Sequence, residues 1–296
     1  MMNSIGSGVD PLDGKYQTVV DRNGYIYISS DYGQTWKEVG SSRYWWAVSM
    51  SATGQYQTAV DIKGYIYTSS DYGSNWKQYY VGSSMAFYSV SISATGQYQT
   101  AVAYDNYIYV SSDYGKTWNK RGSIKKWYGC SVSATGQYQV ATGSDTTYMS
   151  SDYGKTWKQK NLQAEAVSIS ATGQYQTYVY GTIIYVSSDY GKTWEQKSGY
   201  NNILRAVSMS ADGQYQTAGN SMGNLYISSD YGQTWKEVAQ FEEVSSISNS
   251  ASGKYQLFGD DGIGFYISSD YGNTWEYVSE YGGRGVAINR YTPEYL

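Results

Sequence analysis

Residues 29–36 read Ser-Ser-Asp-Tyr-Gly-Gln-Thr-Trp, and the first five residues of this stretch return six more times along the chain. Successive copies stand 37 to 42 residues apart, with their aspartates at Asp31, Asp71, Asp113, Asp152, Asp189, Asp230 and Asp270. A tryptophan follows five residues after each aspartate, at Trp36, Trp76, Trp118, Trp157, Trp194, Trp235 and Trp275. A repeat of fixed period determines the architecture, so each repeat is interpreted as one structural unit.

A second motif, Ser-Ala-Thr-Gly-Gln-Tyr-Gln, has the same period. It stands verbatim in four copies, and altered copies begin at Pro11, Ser210 and Ser250. Two interleaved motifs at one period across the whole chain indicate seven equivalent units rather than separate domains.

Each period reads as four short strands. In residues 46–80 we expect strands over 47–50, 55–60, 65–68 and 76–79, separated by turns that contain Gly or Asp. Asn23-Gly24 in the first repeat is a strong type I′ hairpin signal. No segment sustains a 3.6-residue period, so we expect negligible helix content.

A four-stranded antiparallel meander of about 40 residues is typical of a propeller blade. The sequence therefore predicts an all-β fold: one seven-bladed β-propeller domain spanning residues 1–296. Pro11 replaces the Ser of the other copies, so the first repeat lacks a good inner strand, whereas residues 284–289 match residues 205–210. We expect the C-terminal strand to complete the first blade. The alternative, an open solenoid, would need capping repeats instead.

The pattern Ser-x-Asp-x-Gly-x-Thr-Trp resembles the Asp-box, or BNR repeat, of sialidases, sortilin-type receptors, xyloglucanases and the propeller assembly factors of photosystem II. All seven copies fit, with Asn75 in place of Thr in the second. The resemblance implies the propeller fold but no particular activity. An aspartate in such a hairpin can accept hydrogen bonds from its own turn, the Gly tolerates a positive φ, and the Trp packs between sheets. Because every blade carries the aspartate, we interpret it as structural, neither catalytic nor metal-binding.

Composition excludes several kinds of chemistry. The chain has no His and a single Cys, Cys130, which removes Ser-His-Asp catalysis and zinc sites built from several thiolates. The formal charge of 21 − 25 = −4 argues against a general nucleic-acid binder, and Lys125-Lys126 is too small a basic patch to change that. Calcium loops need clustered oxygen ligands, and only Asp260-Asp261 are adjacent in a loop. We predict no metal and no cofactor.

The chain begins with neither a basic segment nor an apolar one, and it contains no stretch suited to cross a bilayer. We expect a soluble protein without a visible signal peptide and without membrane insertion. The compartment stays open: it could be cytoplasmic or part of a larger particle or surface assembly.

Comparing the seven copies with one another points to the functional face. The first-to-second-strand and third-to-fourth-strand turns are nearly constant, and in a meander both lie on one side of the disc, the constant face. The second-to-third-strand turns and the links between blades differ in every copy and form the variable face. Binding residues usually lie on variable loops held by a rigid scaffold. We therefore expect function on the variable face.

One position on that face mixes aromatic, acidic and basic residues. It is the residue just before the small residue that opens each inner strand, and it gives the predicted ligand-binding set Trp46, Tyr88, Tyr128, Glu165, Arg205, Ser245 and Arg284. We expect these side chains at the mouth of the central channel, with an aromatic arc, a cationic arc and Glu165 between them. The preceding residues are mostly apolar and are predicted to be buried: Trp45, Phe87, Trp127, Ala164, Leu204, Val244 and Gly283.

These residues favour a non-catalytic binding or scaffold protein. Aromatic faces beside polar groups suit sugar rings in a lectin-like module, and Tyr, Trp and Arg equally suit a protein partner. The alternative is a sialidase-like glycoside hydrolase. That resemblance implies an arginine triad, for which Arg43, Arg205 and Arg284 could converge. Ordinary glycoside hydrolysis would instead need a carboxylate pair, which would have to come from Glu165, Glu242, Glu243, Asp105 or Asp145. Seven repeats instead of six and the lack of an Arg-Ile-Pro motif depart from that family.

Overall fold

A computed structural model describes residues 12–82, 85–261, 263–280 and 282–291 of the chain, without the side chain of Ser198. Pro11 lies outside these residues. The described residues form 28 strands in seven four-stranded antiparallel sheets, and none of them is helical. The predicted all-β, seven-bladed propeller is confirmed.

The sheets are numbered here as blades 1 to 7, and each is given from its innermost to its outermost strand. Blade 1 holds β28 (Gly285–Ile288), β1 (Gln17–Val20), β2 (Gly24–Ser29) and β3 (Lys37–Arg43). Blade 2 holds β4 (Trp45–Met50), β5 (Gln57–Asp61), β6 (Tyr65–Ser69) and β7 (Lys77–Tyr80). Blade 3 holds β8 (Ala86–Ile92), β9 (Gln99–Tyr104), β10 (Asn106–Ser111) and β11 (Asn119–Lys125). Blade 4 holds β12 (Trp127–Val132), β13 (Gln139–Gly143), β14 (Thr147–Ser150) and β15 (Lys158–Lys160).

The remaining blades follow the same order. Blade 5 holds β16 (Ala166–Ile169), β17 (Gln176–Tyr180), β18 (Ile183–Ser187) and β19 (Glu195–Gly199). Blade 6 holds β20 (Leu204–Met209), β21 (Gln216–Asn220), β22 (Asn224–Ser228) and β23 (Lys236–Gln240). Blade 7 holds β24 (Ser246–Asn249), β25 (Gln256–Asp260), β26 (Gly264–Ser268) and β27 (Glu276–Ser279).

The last strand closes the ring as predicted. β28 pairs antiparallel with β1, from Gln17 opposite Ile288 to Val20 opposite Gly285. Each innermost strand packs against the next, and β28 lies between β24 of blade 7 and β4 of blade 2. The first and last segments of the described chain therefore share one sheet, which is the closure that the solenoid alternative lacks.

The hydrophobic core lies between blades rather than within them. Seven apolar clusters each join two neighbouring blades, because a single sheet cannot cover its own faces. The residues predicted to be buried at the start of each inner strand are buried, with Trp45, Phe87 and Trp127 at most 1% exposed. Six alanines of the constant turns form an eighth cluster around the axis: Ala52, Ala94, Ala134, Ala171, Ala211 and Ala251.

The repeated aspartate holds its own hairpin together, as predicted. Asp31 accepts hydrogen bonds from the Thr35 N–H at 2.9 Å and from the Ser29 hydroxyl at 2.8 Å, while the Trp36 indole N–H donates to the Gly33 carbonyl. Gly33 has a φ of +82°. The preceding Tyr32 also has a positive φ, +64°, and so does the tyrosine of every other copy. The sequence pattern did not predict this feature.

Candidate functional site

A central cavity of about 570 Å³ runs along the propeller axis. Its wall is made by the innermost strands of all seven blades, which carry alternating small, polar and apolar side chains. All seven predicted ligand-binding residues line it: Trp46, Tyr88, Tyr128, Glu165, Arg205, Ser245 and Arg284. The repeat register thus brings one residue from each blade to the same opening.

A local irregularity of the sheet places these residues there. The register of β4 against β5 shifts between Trp45 and Ala47, so Trp46 is the extra residue of a β-bulge. The same shift occurs at Tyr88, Tyr128 and Arg205. Bulges re-aim a side chain and often border binding sites. In each case the residue before the bulge is buried in an inter-blade cluster.

The other three predicted residues adopt a related arrangement. The N–H of Glu165 donates to the Val179 carbonyl at 2.9 Å, although Val179 already stands opposite Ala166. Ser245 and Arg284 make the equivalent bonds to the second strands of blades 7 and 1. At the start of every inner strand, two of its residues therefore face a single residue of the second strand. All seven blades share this local geometry.

The C-terminal segment occludes the opposite end of the channel. Arg290 follows β28 of blade 1, yet its guanidinium reaches blade 5, where it donates to the Ser168 hydroxyl at 2.8 Å and to the Ile169 carbonyl. The Tyr291 hydroxyl donates to the Val132 carbonyl of blade 4, and its ring packs among the six axial alanines. Within the described part of the chain the cavity is therefore blind: Arg290 and Tyr291 close this end, and it opens on the variable face. No sequence pattern predicted this plug.

The aromatic arc is continuous across blades 2 to 4. The Trp46 and Tyr88 rings lie 4.8 Å apart, and Tyr88 stacks on Tyr104 at 5.4 Å with an interplanar angle of 27°. Tyr104, at the end of β9, also lies 6.2 Å from Tyr128. Sequence reasoning missed Tyr104 because it is the last residue of a second strand, where most other repeats have no aromatic residue.

Arg284 lies beside Trp46, the first residue of the aromatic arc. Its guanidinium carbon lies 3.5 Å from the centre of the Trp46 ring, and its Nη1 is 3.2 Å from Asp261 Oδ2. Arg22 contacts the same carboxylate oxygen at 3.3 Å. Burial lowers the pKa of Arg284, while Asp261 acts to raise it. The Asp261 carboxylate is thus engaged by two arginines.

Glu165 and Arg205 face each other across blades 5 and 6. Arg205 Nη1 lies 3.5 Å from Glu165 Oε2, and half of the Arg205 side chain is exposed. Burial raises the pKa of Glu165, against the opposing effects of Arg205 and of a hydrogen bond from the Gly181 N–H. Ser245 is less available, because its hydroxyl lies within hydrogen-bonding distance of the carbonyls of Gly259 and Gly283.

The arginine triad expected for a sialidase-like enzyme does not form from the three arginines considered. Arg205 and Arg284 line the cavity, but Arg43 lies at the end of outer strand β3 with its guanidinium over the Tyr67 ring at 4.9 Å. Among the candidate carboxylates, Glu165 and Glu243 line the cavity, whereas Asp145 pairs with Lys125 at 3.0 Å.

In the part of the chain that the structure describes, no three His, Cys, Asp or Glu side chains come together as metal ligands. Within the same part, no helix has the length and apolar character needed to cross a membrane.

Sequence profiles of the Asp-box family match six of the seven repeats. The BNR/Asp-box repeat profile matches residues 27–38 and 226–237, and the BNR-Asp box repeat profile matches residues 66–79, 108–121, 148–160 and 184–197. With the geometry above, the chain is a seven-bladed Asp-box β-propeller.

Solved structures that share its fold include two of YCF48. The chain is similar to YCF48 bound to D1 peptide, with a TM-score of 0.60 and 13% identity over 89% of this chain and 84% of that one. It is also similar to YCF48 from Cyanidioschyzon merolae, with a TM-score of 0.62 and 14% identity over 80% of this chain and 87% of that one. At this identity the likeness concerns the fold. No curated protein sequence matches the chain significantly.

Proposed function

We propose that this propeller is a non-catalytic scaffold that binds a segment of a partner protein in the cavity on its variable face. The observation that carries the proposal is the blind, axial cavity with half-buried aromatic rings on one side and Arg205 and Arg284 on the other. Its volume of about 570 Å³ is in the usual range of binding pockets, and Trp, Tyr and Arg are the residues that dominate protein interfaces.

The blocked floor restricts what can bind. Because Arg290 and Tyr291 cross the channel, a partner chain cannot thread through the ring. It has to enter and leave by the same opening, so we expect a chain end or a short loop. The fold-level similarity to a propeller described as bound to a peptide supports the same class of partner.

A glycan is the less favoured ligand. Sugar rings stack on an open aromatic face, but Arg284 lies 3.5 Å from the Trp46 ring centre and Tyr88 lies 4.8 Å from it. The most apolar ring of the mouth is therefore already in contact with protein groups. A sialidase-like reaction is also disfavoured, because Arg43 lies outside the cavity.

The test is a selection from a phage-displayed library of random dodecapeptides on the immobilised protein, beside a glycan array. We expect enriched peptides to bind saturably and to lose at least tenfold in affinity with Tyr88→Ala or Arg205→Ala. Lys158→Ala, on the exposed outer strand β15, is the matched control and should leave affinity unchanged. Saturable binding to the glycan array without peptide enrichment, or hydrolysis of a fluorogenic sialoside, would overturn the proposal.

A further inference from the structure

Three large apolar side chains are exposed on adjoining backbone segments of the variable face, in blades 5 and 6. Tyr180, Ile203 and Met222 are 39%, 43% and 55% exposed. Tyr180 ends β17 and Met222 follows β21, so both lie at second-to-third-strand turns, while Ile203 lies in the link between the two blades. These three residues are called the blade 5–6 patch.

Backbone hydrogen bonds fix the patch as one surface. The Leu204 N–H donates to the Gly181 carbonyl at 2.7 Å, which ties the link to the turn of blade 5. The Ser221 N–H donates to the Ile203 carbonyl at 2.9 Å, which ties the turn of blade 6 to the same link. These two bonds fix the relative positions of the three backbone segments that carry the patch.

The patch is continuous with the mouth of the cavity. Leu204 is fully buried and is followed directly by Arg205, one of the cavity residues. On the other side, the Gly181 N–H is near enough to the Glu165 carboxylate to act against the rise in its pKa. A segment that leaves the cavity past Glu165 and Arg205 therefore reaches the patch next.

The charge at this border defines the chemistry of the occupant. The Arg205 guanidinium is half exposed, and its neighbour Glu165 Oε2 accepts no hydrogen bond although it lies 3.5 Å away. The guanidinium therefore has N–H groups left to pair with a partner carboxylate. Exposed Met, Ile and Tyr side chains beside it suit an apolar side chain, and Met and aromatic residues are enriched at interfaces.

We infer that the blade 5–6 patch binds a large apolar side chain of the partner segment, next to an acidic residue that pairs with Arg205. This inference rests on the proposed function, because the same segment occupies the cavity. It commits to a protein segment with an apolar residue close to an acidic one.

Other exposed apolar side chains do not adjoin the mouth of the cavity. Ile124 and Tyr80 are 57% and 62% exposed, but they lie near the ends of outer strands in blades 3 and 2. Tyr44 lies under the Lys63 ammonium at 4.8 Å. Scattered apolar residues are normal on protein surfaces, so these positions serve as controls.

The experiment compares two double variants with the same fluorescein-labelled dodecapeptide, taken from the library selection. Ile203→Ser with Met222→Ser removes two apolar side chains of the patch without changing its charge, and Ile124→Ser with Tyr80→Ser does the same outside it. We expect at least a tenfold increase in Kd for the first pair and less than a twofold change for the second. Replacing the apolar residue of the peptide by Ser should weaken binding to the wild-type protein and have no further effect on the patch variant.

Two results would overturn the inference while the proposed function stands: equal loss in both double variants, or no loss in the patch variant while Tyr88→Ala still abolishes binding. Failure of every peptide to bind the wild-type protein would instead overturn the proposed function, and the inference with it.

Discussion

A hydrogen bond between side chains fastens most blades to their neighbours. In five blades, the second strand from the axis begins with Gln-Thr. The Thr hydroxyl donates to the side-chain oxygen of the Gln that begins the second strand of the next blade, at 2.6 to 2.8 Å. In blades 4 and 7 the donor is replaced by Val140 and Leu257. The Gln176 and Gln17 Oε1 atoms that would accept the missing bonds are buried without a partner.

Restoring one missing donor is expected to stabilise the fold. Val140→Thr conserves shape and supplies a hydroxyl to Gln176 Oε1, which should raise the free energy of unfolding by about 1 kcal/mol. Urea denaturation followed by tryptophan fluorescence measures the change. The reverse variant, Thr100→Val, removes the donor to Gln139 and should destabilise by a similar amount. A neutral or negative effect of Val140→Thr would contradict the explanation.

Two glycines have a positive φ, but only one of them is closely packed at the position of a Cβ atom, so replacing each by Ala measures backbone strain with and without a steric clash. Gly136 has a φ of +82°, and a Cβ there would meet Tyr98 side-chain atoms of the neighbouring blade at 2.5 Å. Gly181 has a φ of +56° and no atom within 4 Å of the same position. Left-handed backbone conformation costs about 1–2 kcal/mol for a residue with a Cβ. We expect Gly181→Ala to lose about that much stability.

Gly136→Ala should lose clearly more, because Tyr98 has to move and its ring contacts Tyr153 of the Asp-box at 4.8 Å. Thermal melts of both variants measure the difference. Equal shifts in Tm would show that the packing of Gly136 against Tyr98 contributes nothing.

At the scale of elements, the sequence predicted the strands better than their ends. In the second repeat the predicted strand over 76–79 is observed as Lys77–Tyr80, because the Trp76 indole N–H bonds back to Gly73 and keeps Trp76 in the turn. The predicted strand over 55–60 begins only at Gln57, since the Tyr56 N–H donates to the Ser51 hydroxyl. Side-chain hydrogen bonds of this kind make a strand begin later than its residue pattern predicts.

The candidate site was predictable to a similar degree. Internal comparison found the seven positions at the mouth because each copy differs there. It could not find Tyr104, which comes to Tyr88 only through strand pairing, or Arg290 and Tyr291, which reach blades 4 and 5 only after the ring has closed. Contacts that depend on closure leave no local pattern.

Strand β28 is expected to hold the ring closed. Deleting residues from Arg284 onward removes β28, exposes the edge of β1 and opens the channel floor. An unpaired strand edge promotes association, so we expect a lower Tm and self-association in size-exclusion chromatography. A synthetic peptide of residues 284–291 added in trans should restore monomer and Tm. A truncated chain that stays monomeric with an unchanged Tm would contradict the closing role of β28.

At the scale of the molecule, the seven Asp-boxes act as one set of titrating groups. The pKa of each repeated aspartate lies below its ordinary value. Partial burial acts to raise it, but hydrogen bonds from the Thr or Asn partner, from backbone N–H groups and from the Ser hydroxyl lower it by more. For Asp189 the pKa falls to about 2. Seven copies of one shift make the stability of the ring depend on pH as a whole.

The direction follows from the folded value lying below the unfolded one, which is about 3.9. The stabilising contribution is complete above the unfolded pKa and is lost as pH falls through the folded pKa. We therefore expect the contribution of the repeated aspartates to be constant between pH 7 and 5, and Tm to fall steeply between about pH 4 and pH 2, in a single transition because adjacent blades share their cores. Calorimetry across this range measures it.

Asp189→Asn removes one of the seven groups and should lower Tm at pH 7 and make the acid slope shallower, whereas Asp145→Asn, in a surface ion pair, should leave the slope unchanged. A wild-type Tm that does not fall below pH 4 would show that the repeated carboxylates do not couple protonation to folding.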